Sequence, residues 1–236
     1  MSEASTSPSI RIGVIGGTGA EGSGLAWRGA QAGHAVFIGS RDGAKAAAAA
    51  ADMNTRLGRE AVKGGSNAEA VAGCDIAVLS VPFAAQMPTA MGLKDALAGK
   101  ILVDVTVPLV PPKVGTVQLP PGGSCVVALQ AALGESVKVV SAFQNVGSHH
   151  FASEGHVIEC DVLVCGDSRE ARDRVVSLVE SAGLRGIHAG PLANSAAAEA
   201  LTSVLIFINR TYKVSASGIR ITGIDGLQPA PLKKGG

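Results

Sequence analysis

The chain has 236 residues, a formal net charge of +1 and no long basic block, which argues against a nucleic-acid surface as its main function. Hydrophobic residues make up 47% and aromatic residues only 3%, so we expect a core of Ala, Val, Leu and Ile. Cys74, Cys125, Cys160 and Cys165 form no C-x-x-C pair and predict reduced, buried thiols in a cytoplasmic protein. The polar, Ser-rich start lacks the apolar stretch of a signal peptide.

The first apolar strand is followed at once by a glycine-rich turn. Residues 10–15 predict a short buried strand, and the motif G-x-G-x-x-G follows as Gly17, Thr18, Gly19, Ala20, Glu21 and Gly22. A helical stretch then begins, which is the order that a dinucleotide-binding βαβ unit requires. We expect Gly17 to allow the tight turn, Gly19 to let the backbone approach a pyrophosphate, and Gly22 to let the helix pack on the strand.

Alternating strands and helices continue along the chain. Strands are predicted over residues 34–38, 61–63, 75–81, 101–105 and 137–143, and helices over residues 25–31, 42–57, 67–72, 84–97 and 126–133. The strand at 75–81 is nearly continuous in apolar residues, as in a parallel sheet covered on both faces. The alternation predicts an α/β fold, namely a Rossmann-type doubly wound parallel sheet.

A small C-terminal α/β domain is expected after a polar, turn-like stretch. It would contain strands over 162–165 and 184–189, a helix over 169–182 capped by Ser168, and a last helix from 194 or 195 to 209. The apolar run at 201–208 is too short to span a bilayer and predicts a buried helix. The expected division is a disordered tail over 1–9, a dinucleotide-binding Rossmann domain over 10–152, a C-terminal domain over 153–228 and a tail over 229–236.

The end of the second predicted strand indicates which nucleotide binds. An NAD-binding fold usually places Asp or Glu there, about 20 residues beyond the glycine motif, to hold the ribose 2′-hydroxyl. Here Ser40 and Arg41 take that place, with Lys45 one helical turn further on. A hydroxyl and two cations suit the 2′-phosphate of NADP. The sequence therefore predicts NADP, although Asp42 would serve a ribose if it turned inward.

Three further strand ends are predicted to line the site, because ligands of open α/β sheets bind outside the carboxyl ends of strands. These ends carry Ser80, Val81 and Pro82, then Val107 and Pro108, then Gln144, Asn145, Val146 and Gly147. We find no pair of carboxylates, no metal-binding spacing and no nucleophile elbow in the sequence. A nicotinamide site without acid–base groups or a metal is typical of hydride transfer between two redox carriers.

Several segments together resemble the NADPH-dependent reductases of the deazaflavin coenzyme F420. They are the glycine motif with its strand, Gly39-Ser40-Arg41, D-I-A-V-L-S-V-P, K-V-V-S-A-F, D-V-L-V-C-G-D and A-G-P-L-A-N-S-x-x-x-E-A-L-T, in family order and spacing over residues 10–221. The resemblance implies a homodimer that moves a hydride between the nicotinamide of NADP(H) and the deazaflavin of coenzyme F420. The charge, the residue spacing and the short apolar runs predict no metal, no nucleic acid and no membrane partner.

The resemblance also implies roles for single residues. Residues 18–21 would hold the pyrophosphate, and Ser40, Arg41 and Lys45 would hold the 2′-phosphate. Pro82, Val107, Pro108 and the loop 145–147 would line the two rings, and Gln144 and Thr202 would contact the deazaflavin. Family members often have His in place of Gln144 and Ser in place of Ala200. Gln144 can still donate a hydrogen bond to a ring oxygen, but it cannot titrate.

Two other functions fit the same nucleotide site. The first is an NADPH-dependent reductase of a small imine or keto acid, which needs a proton donor beside the nicotinamide. The sequence offers only Thr202, Asn145 or His149 for that role. The second is a non-catalytic redox sensor, which would bind NADPH without turnover.

Overall fold

The computed structural model describes residues 9–152 and 158–227, in which strands and helices alternate. The strands are β1 (Arg11–Ile15), β2 (Ala35–Ser40), β3 (Val62–Ser66), β4 (Ile76–Leu79), β5 (Ile101–Asp104), β6 (Lys138–Ser141), β7 (Asp161–Gly166) and β8 (Arg185–His188). The helices are α1 (Ala20–Gln31), α2 (Gly43–Leu57), α3 (Asn67–Ala72), α4 (Phe83–Met91), α5 (Lys94–Leu97), α6 (Cys125–Leu133), α7 (His149–Ala152), α8 (Arg169–Ser181) and α9 (Ser195–Tyr212). A short 3₁₀ turn, Leu192–Asn194, precedes α9.

The described strands form one sheet in the order β3-β2-β1-β4-β5-β6-β7-β8. The six strands from β3 to β6 are parallel, and their order reverses between β1 and β4. Connections therefore leave these two strands in opposite directions, which opens a crevice at their carboxyl ends where dinucleotides bind in this fold. β7 pairs antiparallel with β6, and β8 runs parallel to β7. The predicted Rossmann-type α/β sheet is confirmed, and the C-terminal strands extend it.

Most predicted elements are present with shifted ends. The helix predicted over 84–97 is two helices, α4 and α5, because the chain turns at Gly92 and Leu93 between them. The predicted cap of α8 is confirmed, since the Ser168 hydroxyl accepts a hydrogen bond from the Ala171 N–H. The predicted tails over 1–9 and 229–236 lie outside the described residues except for residue 9, and residues 153–157, which follow the predicted border after 152, lie outside them too. The domain division therefore stays a prediction.

Two apolar clusters cover the two faces of the sheet. The alternation along β1 places Val14 in one cluster, with Leu25 and Trp27 of α1, and Ile15 in the other, with Leu129 of α6. All four cysteines are buried and free, as the composition predicts. The sheet is thus covered on both sides, and the edge formed by the strand ends is left for a ligand.

The segment after α9 is fixed to β7 by a buried carboxylate. Asp161 is fully buried, and its oxygens accept hydrogen bonds from Arg185 at 2.7 and 2.5 Å and from the Ile221 N–H at 2.6 Å. Burial alone would raise the pKa of Asp161, but these hydrogen bonds outweigh it and the net pKa lies below its ordinary value. The same segment lies against the loop that follows β6, because a Cβ on Gly147 would lie 3.0 Å from the Ala216 Cβ.

Helix α9 is longer and more exposed than the buried helix predicted over 201–208. By length and composition alone, Leu192–Tyr212 could cross a membrane, with a mean hydropathy of 1.3 and 33% of that stretch buried. One side of α9 packs on the protein through residues such as Glu199 and Leu205, whereas Val204, Phe207 and Tyr212 are exposed. The expectation of a buried helix is therefore wrong: the apolar residues of α9 lie on two sides, and one side is open.

Candidate functional site

Three glycines have different structural roles in the turn between β1 and α1. The motif predicts the tight turn at Gly17. The positive φ of +74° belongs instead to Gly16, so the turn is made there. Gly17 is instead closely packed, because a Cβ would lie 2.9 Å from the Ile38 side chain. A Cβ on Gly22 would lie 2.3 Å from the Ser80 hydroxyl oxygen, which confirms that Gly22 lets α1 approach the sheet.

The amino-terminal end of α1 is open to an anion. Its N-cap residue, Gly19, has no side chain to accept the first N–H groups of the helix. A Cβ on Gly19 would meet the Gly16 carbonyl oxygen at 3.5 Å and no closer atom, so the backbone is accessible there. Uncapped N–H groups at the positive end of a helix dipole are what a pyrophosphate binds in dinucleotide folds.

At the end of β2, Asp42 does not turn towards a ribose. Its Oδ1 accepts a 3.1 Å hydrogen bond from the Lys45 N–H, and Asp42 is thereby the N-cap of α2. The Ser40 hydroxyl oxygen accepts the Asp42 N–H at 3.1 Å. The Arg41 and Lys45 side chains are exposed on this end of the sheet. Two cations and a hydroxyl therefore lie at the end of β2, while the Asp42 carboxylate is occupied as the N-cap of α2. This arrangement suits the binding of a 2′-phosphate.

The carboxyl ends of β4, β5 and β6 lie side by side, as predicted. The register pairs Leu79 with Asp104 and Asp104 with Ser141, so the segments that follow these strands are adjacent. Ser80 donates its hydroxyl to the Ile15 carbonyl oxygen at 3.0 Å and so joins β4 to β1. The other predicted residues of β4 and β5 line the same edge: Val81 and Val107 are half-buried, Pro82 is exposed and is the N-cap of α4, and Pro108 is buried.

Gln144 is held in place by a hydrogen bond from its side chain. Its Nε2 donates a 2.7 Å hydrogen bond to the Asp104 carbonyl oxygen, and its Oε1 is buried with no partner among the described residues. Gln144 thus keeps an acceptor, Oε1, and the second hydrogen of Nε2, so its donation to a ring oxygen stays a prediction. The preceding residue, Phe143, has a φ of +73°, which is unusual for a residue with a side chain. Thr202 of α9 donates to the Gln144 carbonyl oxygen at 2.7 Å.

The next residues of this loop face the protein more than the crevice. Asn145 is buried, and its Nδ2 donates a 2.6 Å hydrogen bond to the Asp161 carbonyl oxygen of β7. Val146 is also buried, and Gly147 lies against Ala216. The Asn145 side chain thus fixes the loop to β7, and a direct contact of that side chain with a cofactor stays a prediction.

The structure brings together two carboxyl groups that the sequence left apart. Asp104 is fully buried at the end of β5, and its carboxylate accepts hydrogen bonds from the Thr106 N–H at 2.9 Å and from Gln86 at 2.5 Å. Burial raises the pKa of Asp104 to about 6 against these hydrogen bonds. Burial, and then the charge of Asp104, raise the pKa of Glu21 to about 8. Both groups stand at the carboxyl edge, where the sequence singled out no acid–base group.

A third carboxylate, Glu199, joins α9 to α6. It is almost fully buried, and its oxygens accept hydrogen bonds from the Ser124 hydroxyl at 2.5 Å and the Cys125 N–H at 2.9 Å. The amino-terminal end of α6 is thus capped by a negative charge, which the helix dipole favours. Because Thr202 follows Glu199 by about one turn of α9, this contact also places Thr202 beside Gln144. Nothing local in the sequence marks Glu199 as a cap.

Comparisons with known proteins agree on one family. Residues 11–108 match the family model described as NADP oxidoreductase, coenzyme F420-dependent. The chain is 37% identical over 222 residues to the F420-dependent NADP reductase of Methanothermobacter thermautotrophicus strain Delta H, covering 91% of this chain and 96% of that protein. It is 38% identical over 224 residues to the enzyme of that name from Methanocaldococcus jannaschii, covering 92% of this chain and 100% of that protein.

A solved structure gives the same result. A protein from Arthrobacter sp. FB24, described as an F420-dependent NADP reductase, superposes with a TM-score of 0.74 at 26% identity. The match covers 91% of this chain and 100% of that one, so the C-terminal strands and α9 are included as well as the nucleotide-binding part. With this extent of likeness in sequence and in fold, the chain belongs to the family of F420-dependent NADP reductases.

Proposed function

We propose that this protein transfers a hydride directly between NADP(H) and the deazaflavin coenzyme F420. The observation that carries the proposal is the 37% identity to an F420-dependent NADP reductase along almost the full length of both chains. The geometry agrees with it, because the uncapped end of α1 and the pair Arg41 and Lys45 are suited to the pyrophosphate and the 2′-phosphate.

The proposed site has two halves. The adenosine half of NADP(H) lies over the ends of β1 and β2, where residues 18–22 bind the pyrophosphate and Ser40, Arg41 and Lys45 bind the 2′-phosphate. The nicotinamide half lies over β4, β5 and β6, lined by Ser80, Val81, Pro82, Val107, Pro108, Asn145, Val146 and Gly147. Gln144 and Thr202 stand where the second ring would meet the first. The bound cofactors supply the hydride chemistry, and these residues orient the rings and exclude water.

We also propose that the protein is a cytoplasmic homodimer, formed through the open face of α9. Phe207 is 61% exposed and Val204 is 44% exposed on this helix, with Tyr212 near its end. Large apolar side chains grouped on one exposed helix face are typical of a subunit interface. A face that is shared by two copies of α9 would cover these side chains in both subunits.

The proposal is tested with NADPH carrying deuterium at C4 of the nicotinamide, purified protein and oxidised F420. Direct transfer places the label on C5 of the reduced deazaflavin with no loss to solvent, while FMN and FAD, as control acceptors, are not reduced. Tight NADPH binding without any reduction of F420 would refute the enzyme and favour a redox sensor. Reduction of an imine or keto acid in place of F420 would favour the small-substrate reductase.

A further inference from the structure

Glu21 is a carboxyl group in the glycine motif that the nucleotide-binding chemistry does not use. It lies in the first turn of α1 and is partly buried, and we find no hydrogen bond or ion pair to its side chain within 9–152 and 158–227. An unpaired acidic side chain beside a phosphate-binding turn is unexpected, because its charge would repel the phosphates. Its location relative to the two halves of the site decides what it does.

The Glu21 side chain belongs to the nicotinamide half. The charge that acts on it is that of Asp104 at the end of β5, on the far side of β4 from β2. The neighbouring Gly22 packs directly on Ser80 of the β4 end, so this turn of α1 lies over β4. Arg41 and Lys45, by contrast, follow β2. A dinucleotide that lies across the crevice therefore brings its nicotinamide, and not its 2′-phosphate, towards Glu21.

The two redox states of the nicotinamide differ in charge. The ring is a cation in NADP⁺ and neutral in NADPH, whereas the phosphates are the same in both. A carboxylate beside the ring therefore stabilises bound NADP⁺ more than bound NADPH. Its repulsion of the phosphates is equal for the two nucleotides and does not affect the ratio of their dissociation constants. A protonated, neutral carboxyl makes no such distinction.

We propose that Glu21 determines how strongly the site prefers NADP⁺ over NADPH, through a carboxylate charge placed beside the nicotinamide. This inference rests on the proposed NADP(H) site. Because the pKa of Glu21 is raised to about 8, the group is mostly neutral at neutral pH and becomes charged as the pH rises. NADP⁺ favours the charged form more than NADPH does, so binding of NADP⁺ releases more protons than binding of NADPH.

The ionisable groups near Glu21 are few. Asp104, with its pKa of about 6, is already ionised above neutral pH. The carboxyl ends of β1 and β4 carry no ionisable side chain. Helix α7 packs on α1 and contributes His149 and His150. The comparison of the wild type with Glu21→Gln between about pH 7 and about pH 9 therefore assigns the pH dependence to Glu21.

The test measures the dissociation constants of NADP⁺ and NADPH, without F420, for the wild type, Glu21→Gln and the control Glu180→Gln on the exposed face of α8. In the wild type and the control, the dissociation constant of NADP⁺ divided by that of NADPH should fall about three- to tenfold between about pH 7 and about pH 9. NADP⁺ is then bound more tightly, relative to NADPH, at the higher pH. In Glu21→Gln the ratio should be constant. The same pH dependence in Glu21→Gln, or a constant ratio in the wild type, overturns the inference.

A measurement on the wild type alone keeps the inference testable if the variant fails to fold. Titration calorimetry at about pH 8 in two buffers of different ionisation enthalpy counts the protons released on binding. A larger release of protons with NADP⁺ than with NADPH supports the role of Glu21, and equal counts for the two nucleotides overturn it. If neither nucleotide binds to the wild type, the proposed function itself fails, which is a distinct result.

Discussion

The Thr202 hydroxyl donates a 2.7 Å hydrogen bond to the main-chain carbonyl oxygen of Gln144, and this bond joins α9 to the loop after β6. The loop begins with Phe143 in a left-handed conformation, which costs free energy and persists only when the surroundings hold it. Gln144 is in turn hydrogen-bonded to the Asp104 carbonyl oxygen. Thr202 therefore acts on the site by holding the loop, besides any contact with the deazaflavin.

Replacing Thr202 with Val keeps the shape of the side chain and removes this hydrogen bond. The partly buried Gln144 carbonyl oxygen then loses a donor, and we expect the free energy of unfolding to fall by about 0.5–1.5 kcal/mol. The KM for F420 should rise by a larger factor than the dissociation constant for NADPH, because the phosphates of NADPH are held at residues far from this loop. Thr202→Ser keeps the hydroxyl and should resemble the wild type in both measurements. A Thr202→Val variant with an unchanged KM for F420 would contradict this role.

The preference for NADPH should depend on Arg41. Each charge-assisted hydrogen bond contributes about 1.5–3 kcal/mol, so Arg41→Asp should raise the dissociation constant of NADPH about ten- to a hundredfold. NADH, which has no 2′-phosphate, should bind as well as before or better, and the preference should shift towards it. The matched control is Arg174→Asp, an equal change of charge on the exposed side of α8. If both variants lose NADPH affinity equally, the 2′-phosphate lies elsewhere.

The buried Asp104 should make the protein less stable as the pH rises from about 4 to about 6. Its folded pKa, raised by burial to about 6, exceeds the ordinary value of about 3.9, so the folded state holds the proton longer than the unfolded state. Stability falls with pH wherever the folded state binds more protons. Chemical unfolding of Asp104→Asn should show a smaller loss of stability across this window than the wild type. Asp95→Asn, an exposed carboxyl on α5, should behave as the wild type does.

The parts of this fold that sequence could predict are those set by local rules. Ser168 caps α8 because a hydroxyl at that place bonds to the N–H three residues on, which is visible in the chain itself. The same is true of the cations that follow β2. Such features depend on neighbours in sequence, and the register of the parallel strands then brings them to one edge.

The parts that sequence missed depend on contacts between distant segments. No local sequence pattern predicts that Glu21 and Asp104 interact, because only the order of β1, β4 and β5 in the sheet brings α1 close to the end of β5. The bond from the Gln144 side chain to the Asp104 carbonyl oxygen likewise joins residues 40 positions apart, and no local pattern predicts it. The glycine motif could not tell Gly16 from Gly17, because adjacent glycines are equally able to take a positive φ.

The open face of α9 should hold the proposed dimer together, and Phe207→Asp should separate it. In a two-fold interface each substitution occurs twice, and burial of one Phe contributes about 1.5–3 kcal/mol. The dissociation constant of the dimer should therefore rise more than about a hundredfold, as measured by sedimentation equilibrium. Met91→Asp, which places the same charge on an exposed apolar residue of α4, should leave the dimer intact. Because Phe207 is exposed within the protomer, the monomer should remain folded by circular dichroism, and a wild type that is monomeric at every concentration would refute the interface.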